Sequence, residues 1–140
     1  YQGIDLISGI SISTPRFSRD YSWEIIRFAS KLNTNCVGGF SKLMSYVRKK
    51  HSGSIVSYSD RTYSNGKLYS KCGFELERTN PPSYWYIDPN FQKRWPRTSF
   101  TKQRIVEKFG ADESKSEGEI MEALGFKRIW NCGTQTWVLE

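Results

Sequence analysis

The densest run of chemistry-bearing residues is Lys93-Arg94-Trp95-Pro96-Arg97, continued by Lys102 and Arg104. Flat rings are interleaved with these cations: Tyr84, Trp85, Tyr86, Phe91 and Phe100. Lysine and arginine neutralise phosphates and release counterions, and aromatic faces stack on bases. A second run, Arg48-Lys49-Lys50, follows Phe40, Leu43, Met44 and Val47, whose i, i+3, i+4, i+7 spacing marks one face of a helix. Cations in the last turn of a helix also offset its macrodipole. That explains the second run without a ligand; the first is not explained by the dipole and reads either as a nucleic-acid surface or as a solvated surface with a few core aromatics. The candidate contacts to double-stranded DNA are therefore Arg48, Lys49, Lys50, Lys93, Arg94, Trp95, Arg97, Lys102 and Arg104.

Other chemistries find less support. A magnesium-dependent nuclease needs clustered carboxylates. Asp112, Glu113, Glu117, Glu119 and Glu122 fall instead in a helical stretch that reads as solvated, and Glu75 and Glu77 stand two apart on a short strand. His51 is the one histidine, and no CxxC or HxxxH pair exists, so no metal site is expected. Cys36, Cys72 and Cys132 are odd in number and widely spaced, which argues against a disulfide framework and for a reducing compartment.

The 140 residues make one domain or two very small ones. Lys and Arg number 21 against 14 Asp and Glu, a net charge of +7 that favours a polyanionic partner. The surplus is uneven. Residues 1–50 and 91–110 each carry +5, residues 51–90 are neutral, and residues 111–140 carry −3. Aromatics at 15% exclude a disordered chain. No apolar run is long enough to cross a bilayer as a helix, and no signal peptide or lipidation motif is visible.

The elements that must carry these residues follow from local pattern. Residues 4–12 read as a strand or hairpin ended by Thr14-Pro15. Residues 23–32 are open between strand and helix. A helix covers 41–50, a buried strand 54–58, and a short helix 64–72 closed by Gly73. Short strands are expected at 76–78 and 83–87, and a basic helix at 101–109 stopped by Gly110. Ser116-Glu117-Gly118-Glu119 is a capping box ahead of Ile120, Met121 and Leu124. Residues 126–130 and 136–139 then read as a hairpin around Asn131-Cys132-Gly133-Thr134. The class is α/β or α+β.

A strand ending in Ser57-Tyr58-Ser59-Asp60 is followed by Gly66-Lys67-Leu68-Tyr69-Ser70-Lys71-Cys72-Gly73-Phe74. This stretch resembles the GNAT acetyltransferase fold, and "EIIR" with "SYSD" and "LY" resembles its Mom-type DNA-modifying branch. The wider ordered set is similar to the C-terminal region of phage-borne, Hef-like homing endonucleases. It comprises "PRF", "WEIIRFASKLNTNCVGGFSKLMSYV", "IVSYSDRTYSNGKLYSKCGFE", "PPSYWYID" and "GFKRIWNCGTQTWV". It departs from that pattern at Asn131, where an Asp is expected before Cys-Gly.

The resemblance implies a single GNAT-like domain over 1–140, with a mixed, mostly antiparallel sheet, flanking helices, and a C-terminal helix plus β-hairpin. It implies a strand at Glu24-Ile25-Ile26-Arg27. The chain opens on Tyr1, which fits the C-terminal part of a longer protein whose N-terminal domain is a nuclease related to very-short-patch-repair enzymes and uses Mg²⁺. The implied role is that of a DNA-binding, target-recognition accessory domain in the cytoplasm of an infected bacterium, with no cofactor in this segment. The alternative is an acyltransferase or nucleobase-modifying enzyme using acetyl-CoA. Tyr69 would then be the general acid, Arg27 and Asp60 would line the site, and Gly38, Gly39 and Ser41 would cradle the coenzyme, although Cys36 stands where Gln or Arg is expected.

Overall fold

The structure, a computed structural model, describes Gly3 and residues 5–140; the expected strand start at Ile4 lies outside the described residues. The elements in chain order are β1 (Ser8–Ser13), β2 (Trp23–Ser30), α1 (Gly39–Lys50), β3 (Ile55–Asp60), α2 (Lys67–Lys71), β4 (Glu75–Asn80), β5 (Tyr84–Ile87), β6 (Arg94–Pro96), α3 (Lys102–Phe109), α4 (Glu117–Ala123), β7 (Lys127–Trp130) and β8 (Thr134–Leu139). They build a mixed α+β architecture. The chain divides into two units, the first comprising residues up to Asn80 with Thr134–Glu140, the second Pro81–Gly133.

The first unit is a five-stranded sheet in the order β1-β2-β3-β8-β4. Residues 23–30 are strand, which resolves the ambiguity of that stretch. Only β2 and β3 run parallel, joined by α1, and their ladder is short: Trp23 pairs with Ile55, Glu24 with Val56, and Ile25 with Ser57. Beyond that point β2 stays with β1 as far as Ser30, and β3 stays with β8 as far as Asp60. The two parallel strands therefore part after Ser57. An extra residue in β2, Ile26, lies at the parting, because Ile12 faces Ile25 while the next residue, Ser11, faces Arg27. Such a bulge reverses the in–out alternation of a strand. Ile25 and Phe28 consequently both meet α1, with the Phe28 ring 5.2 Å from that of Phe40.

Phe40, Met44 and Val47 of α1 bury against Ile25, Ile55, Phe74 and Trp137. Each such side chain contributes roughly 1.5–3 kcal/mol. β3 presents Ser57 and Ser59 to the same side. Ser57 Oγ donates to Tyr69 Oη at 3.0 Å, and Trp137 Nε1 donates to Ser59 Oγ at 3.0 Å. Hydroxyls stand here because the rings above them carry polar atoms that need partners when buried. Gly66, at φ 75°, begins α2; a Cβ there would lie 2.2 Å from Trp137 Cζ2, so only glycine lets the helix close on the indole. The opposite face of the sheet holds Glu24, fully buried, whose carboxylate accepts from the Arg16 backbone N (2.7 Å), Nε (3.0 Å) and Nη2 (2.6 Å).

The second unit is an antiparallel sheet in the order β6-β5-β7. Tyr86, Phe100, Ile105, Ile120 and Met121 form its core, flanked by Tyr84, Trp95 and Phe126. Period-two alternation turns Trp85 and Ile87 of β5 to the other face, in register with Pro96 and Arg94 of β6 and with Ile129 and Lys127 of β7.

The expected C-terminal hairpin is corrected. β7 pairs with β5, whereas β8 lies between β3 and β4 in the other sheet. Asn131 causes the divergence. Its N donates to Ser83 O (2.9 Å), and its Oδ1 accepts from Ser83 N (2.8 Å) and Gly133 N (2.9 Å). These bonds extend the β5–β7 ladder by one position and turn the chain just before β8 begins. β6 is a further strand that the sequence reading lacks, since proline within a run argues against a strand except at an edge. β6 is an edge strand, with Pro96 as its last residue.

Candidate functional site

Six of the nine candidate DNA contacts lie in the second unit, Lys93 just before β6 and the others on β6, on the 3-10 turn Arg97–Ser99, and on α3. Three of these cations sit over rings. Lys93 Nζ is 4.0 Å from the Trp95 centroid, Arg94 Cζ 4.5 Å from that of Trp85, and Arg97 Cζ 5.1 Å from that of Tyr84. Arg128, which the sequence reading omits, lies 5.6 Å from the Tyr84 centroid. A guanidinium lying flat on a ring keeps its N–H edge free for a phosphate. None of Lys93, Arg94, Arg97, Lys102, Arg104, Lys127 or Arg128 forms an ion pair among the described residues. Arg104 Nη1 donates to Thr98 O at 3.3 Å and so braces the turn that carries Arg97. Trp95 packs its ring against Phe100, 5.9 Å away, in the core of the unit.

A cleft of about 600 Å³ opens at this end of the second unit, between Tyr84, Trp85, Arg97, Lys102, Glu117 and Asn131. Glu117 departs from the solvated acidic helix expected there. It is half-buried, and its Oε1 accepts from Tyr84 Oη (3.2 Å) and Tyr86 Oη (3.0 Å). Burial and the carboxylate's acceptance of its proton push the Tyr86 phenol well above the ordinary range. The signal for this site is present in the sequence. Two tyrosines spaced i, i+2 on a strand share a face, and a carboxylate in the first turn of a capped helix is placed to meet them.

The remaining candidates lie in the first unit. Arg48 Nη1 donates to the Glu140 backbone O at 2.5 Å, whereas Lys49 and Lys50 are exposed on the last turn of α1. Tyr69 stacks on Trp137 at 5.9 Å, with its hydroxyl on Ser57, the residue at which β2 and β3 part. Arg27 and Asp60 lie on the opposite face of the sheet from Tyr69, Arg27 because of the Ile26 bulge and Asp60 by alternation from Ser57 and Ser59. Asp60 Oδ1 accepts from Thr62 N at 2.8 Å, which caps the turn after β3.

Gly38 is the N-cap of α1 at φ 72°, with open space where a Cβ would point. Gly39 donates its N–H to Cys36 O at 3.1 Å, and a Cβ on it would meet Cys36 Sγ at 2.7 Å. Ser41 Oγ donates to Gly38 O at 3.3 Å. Cys36 thus fills the space beside Gly39, while a cleft of about 380 Å³ opens along the same loop between Cys36, Gly38, Gly39 and Lys42.

Among the described residues, no group of three or more His, Cys, Asp or Glu is placed to hold a metal ion. No helix among them is long and apolar enough to cross a membrane. Comparison with protein-family models, with curated proteins and with solved structures gives no match to this chain.

Proposed function

We propose that this chain is a DNA-binding module that grips duplex phosphates. It would be an accessory domain of the kind implied by its resemblance to phage-borne, Hef-like homing endonucleases, with cleavage performed elsewhere. One observation carries the reading: the second unit holds Lys93, Arg94, Arg97 and Lys102 with no carboxylate paired to any of them among the described residues, three resting on rings. Cations held this way are ordered before binding, so less side-chain freedom is lost on meeting phosphate. Fluorescence anisotropy with a random-sequence duplex, titrated with salt, tests it. The expected result is affinity that falls linearly on a log–log plot. Absence of binding at low ionic strength would overturn the reading.

The transferase reading draws support from a different observation, the parting of β2 and β3 beside the Tyr69 hydroxyl. Crevices at the carboxyl ends of parallel strands are where α/β folds take ligands. The placement of Arg27 and Asp60 across the sheet from Tyr69 favours the DNA-binding reading over it. Calorimetry with acetyl-CoA separates the two: measurable heat would restore the transferase reading.

A further inference from the structure

We propose that the open face of the β6-β5-β7 sheet lies in the major groove of duplex DNA, with Arg94 on a guanine edge and Lys127 on phosphate. This rests on the DNA-binding reading and adds to it the surface, the groove and the base.

The helices of the second unit leave that face uncovered. α3 and α4 bring Ile105, Ile120 and Met121 to the side of the sheet that carries Tyr86. The other side shows two cross-strand rows. Pro96, Trp85 and Ile129 form one, and Arg94, Ile87 and Lys127 form the next. Arg94, Pro96, Ile129 and Lys127 are exposed, and Trp85 and Ile87 are half-buried.

Charge selects the partner. β5, β6 and β7 read YWYI, RWP and KRIW and contain no Asp or Glu. The face therefore offers cations without acids, which complements a polyanion. Neither Arg94 nor Lys127 forms an ion pair among the described residues. The Arg94 guanidinium rests 4.5 Å from the Trp85 centroid. That support fixes its plane and leaves its N–H edge free to meet O6 and N7 of one guanine together.

Shape selects the form of nucleic acid. Three strands set their outer backbones about 10 Å apart. That fits a major groove about 12 Å wide and not a minor groove of about 6 Å. Trp85, the one indole on this face, is already covered by Arg94, so the face is no platform for the stacked bases of a single strand. Lys93 and Arg97 bracket β6 in the chain and rest on Trp95 and Tyr84, rings of the covered side, which leaves them for flanking phosphates.

Three measurements on the full chain test this. Ile129→Glu places a carboxylate beside Trp85, and Leu32→Glu, at an exposed position of the first unit, makes the same change of net charge elsewhere. With folding of both checked by circular dichroism, Ile129→Glu is expected to weaken duplex binding about tenfold or more, and Leu32→Glu only about twofold. Selection from a randomised duplex pool should enrich a guanine whose replacement by adenine costs the wild type about tenfold, a preference that Arg94→Ala loses. Methyl green, which occupies the major groove, should displace the protein, and distamycin, which occupies the minor groove, should not.

Equal duplex binding by Ile129→Glu and Leu32→Glu would overturn the inference, as happens if the face docks a protein instead, and would leave the duplex reading standing on the other cations. Displacement by distamycin and not by methyl green would also overturn it. So would a wild type that enriches no guanine, or a guanine preference that survives Arg94→Ala. Absence of salt-dependent binding to any duplex would overturn both.

Discussion

The carboxylate of Glu24, which has no exposed surface, is clasped by Arg16 through its backbone N–H and two guanidinium nitrogens. The arginine is half-exposed, so the pair costs less to desolvate than a fully buried one. Removing Arg16 leaves a buried carboxylate with no cation. Arg16→Ala is therefore expected to lower unfolding free energy by about 3 kcal/mol, the lower end of the range for breaking a buried pair. Replacing both residues by methionine is expected to be far milder. Urea unfolding of the three variants measures the difference.

Tyr21 donates its hydroxyl to Glu77, and that bond, with burial and the carboxylate's charge, pushes the phenol up to about 12. A folded-state pKa above the unfolded value of about 10 means the native state holds its proton longer. Stability from this hydrogen bond is fully present below pH 10 and is lost as pH rises from 10 toward 12. Thermal melts over that window should fall more steeply for the wild type than for Tyr21→Phe. Spectrophotometric titration of the phenols should show one late-titrating group disappear in the variant.

For DNA, the triple variant Lys93→Gln, Arg97→Gln, Lys102→Gln is expected to flatten the log–log salt slope by about 0.9 for each phosphate that is no longer neutralised. Lys49→Gln with Lys50→Gln distinguishes the two basic runs. An unchanged slope there would assign those lysines to the helix dipole alone, as their place in the last turn of α1 allows.

Ser116 Oγ accepts from Glu119 N, and the Glu119 carboxylate accepts from Ser116 N and Oγ at 2.8 and 2.6 Å. Ser116→Ala is expected to cost about 1 kcal/mol. The Ser116 hydrogen bonds hold the Glu119 carboxyl below its ordinary value, so its contribution is present above that value and lost as pH falls through the lowered one. Acid titration of Glu119 by NMR in wild type and Ser116→Ala should show the variant titrating at higher pH.

What was legible in the sequence was what local chemistry decides. The capping box at Ser116, the amphipathic face of α1 and the glycine ends of α2 and α3 follow from interactions within one turn. The β7–β8 hairpin was misread because nearness in sequence stood in for pairing, and a single side chain, Asn131, sends the two strands to different sheets. Of the candidate site, the cations and their rings were readable as a run. Glu117 was missed: the i, i+2 spacing of Tyr84 and Tyr86 was a local signal, but only the fold brings α4 beneath β5 and places both phenols on that carboxylate. Arg27 and Asp60 were grouped with Tyr69 on order along the chain, and a one-residue bulge helps set them on opposite faces of a sheet.

Asn80 and Thr134 are direct partners across the β4–β8 ladder, with Asn80 Nδ2 donating to Thr134 Oγ1 at 3.0 Å. The fifty-three residues between them, Pro81–Gly133, therefore leave and re-enter the first sheet through adjacent doorposts. In terms of chain topology the second unit is an enlarged hairpin loop. A tight Asn-Gly turn joining β4 directly to β8 would keep every strand of the first sheet in order. Such a junction is modular: the second unit can be exchanged as a cassette while the strands of the first sheet are left unaltered.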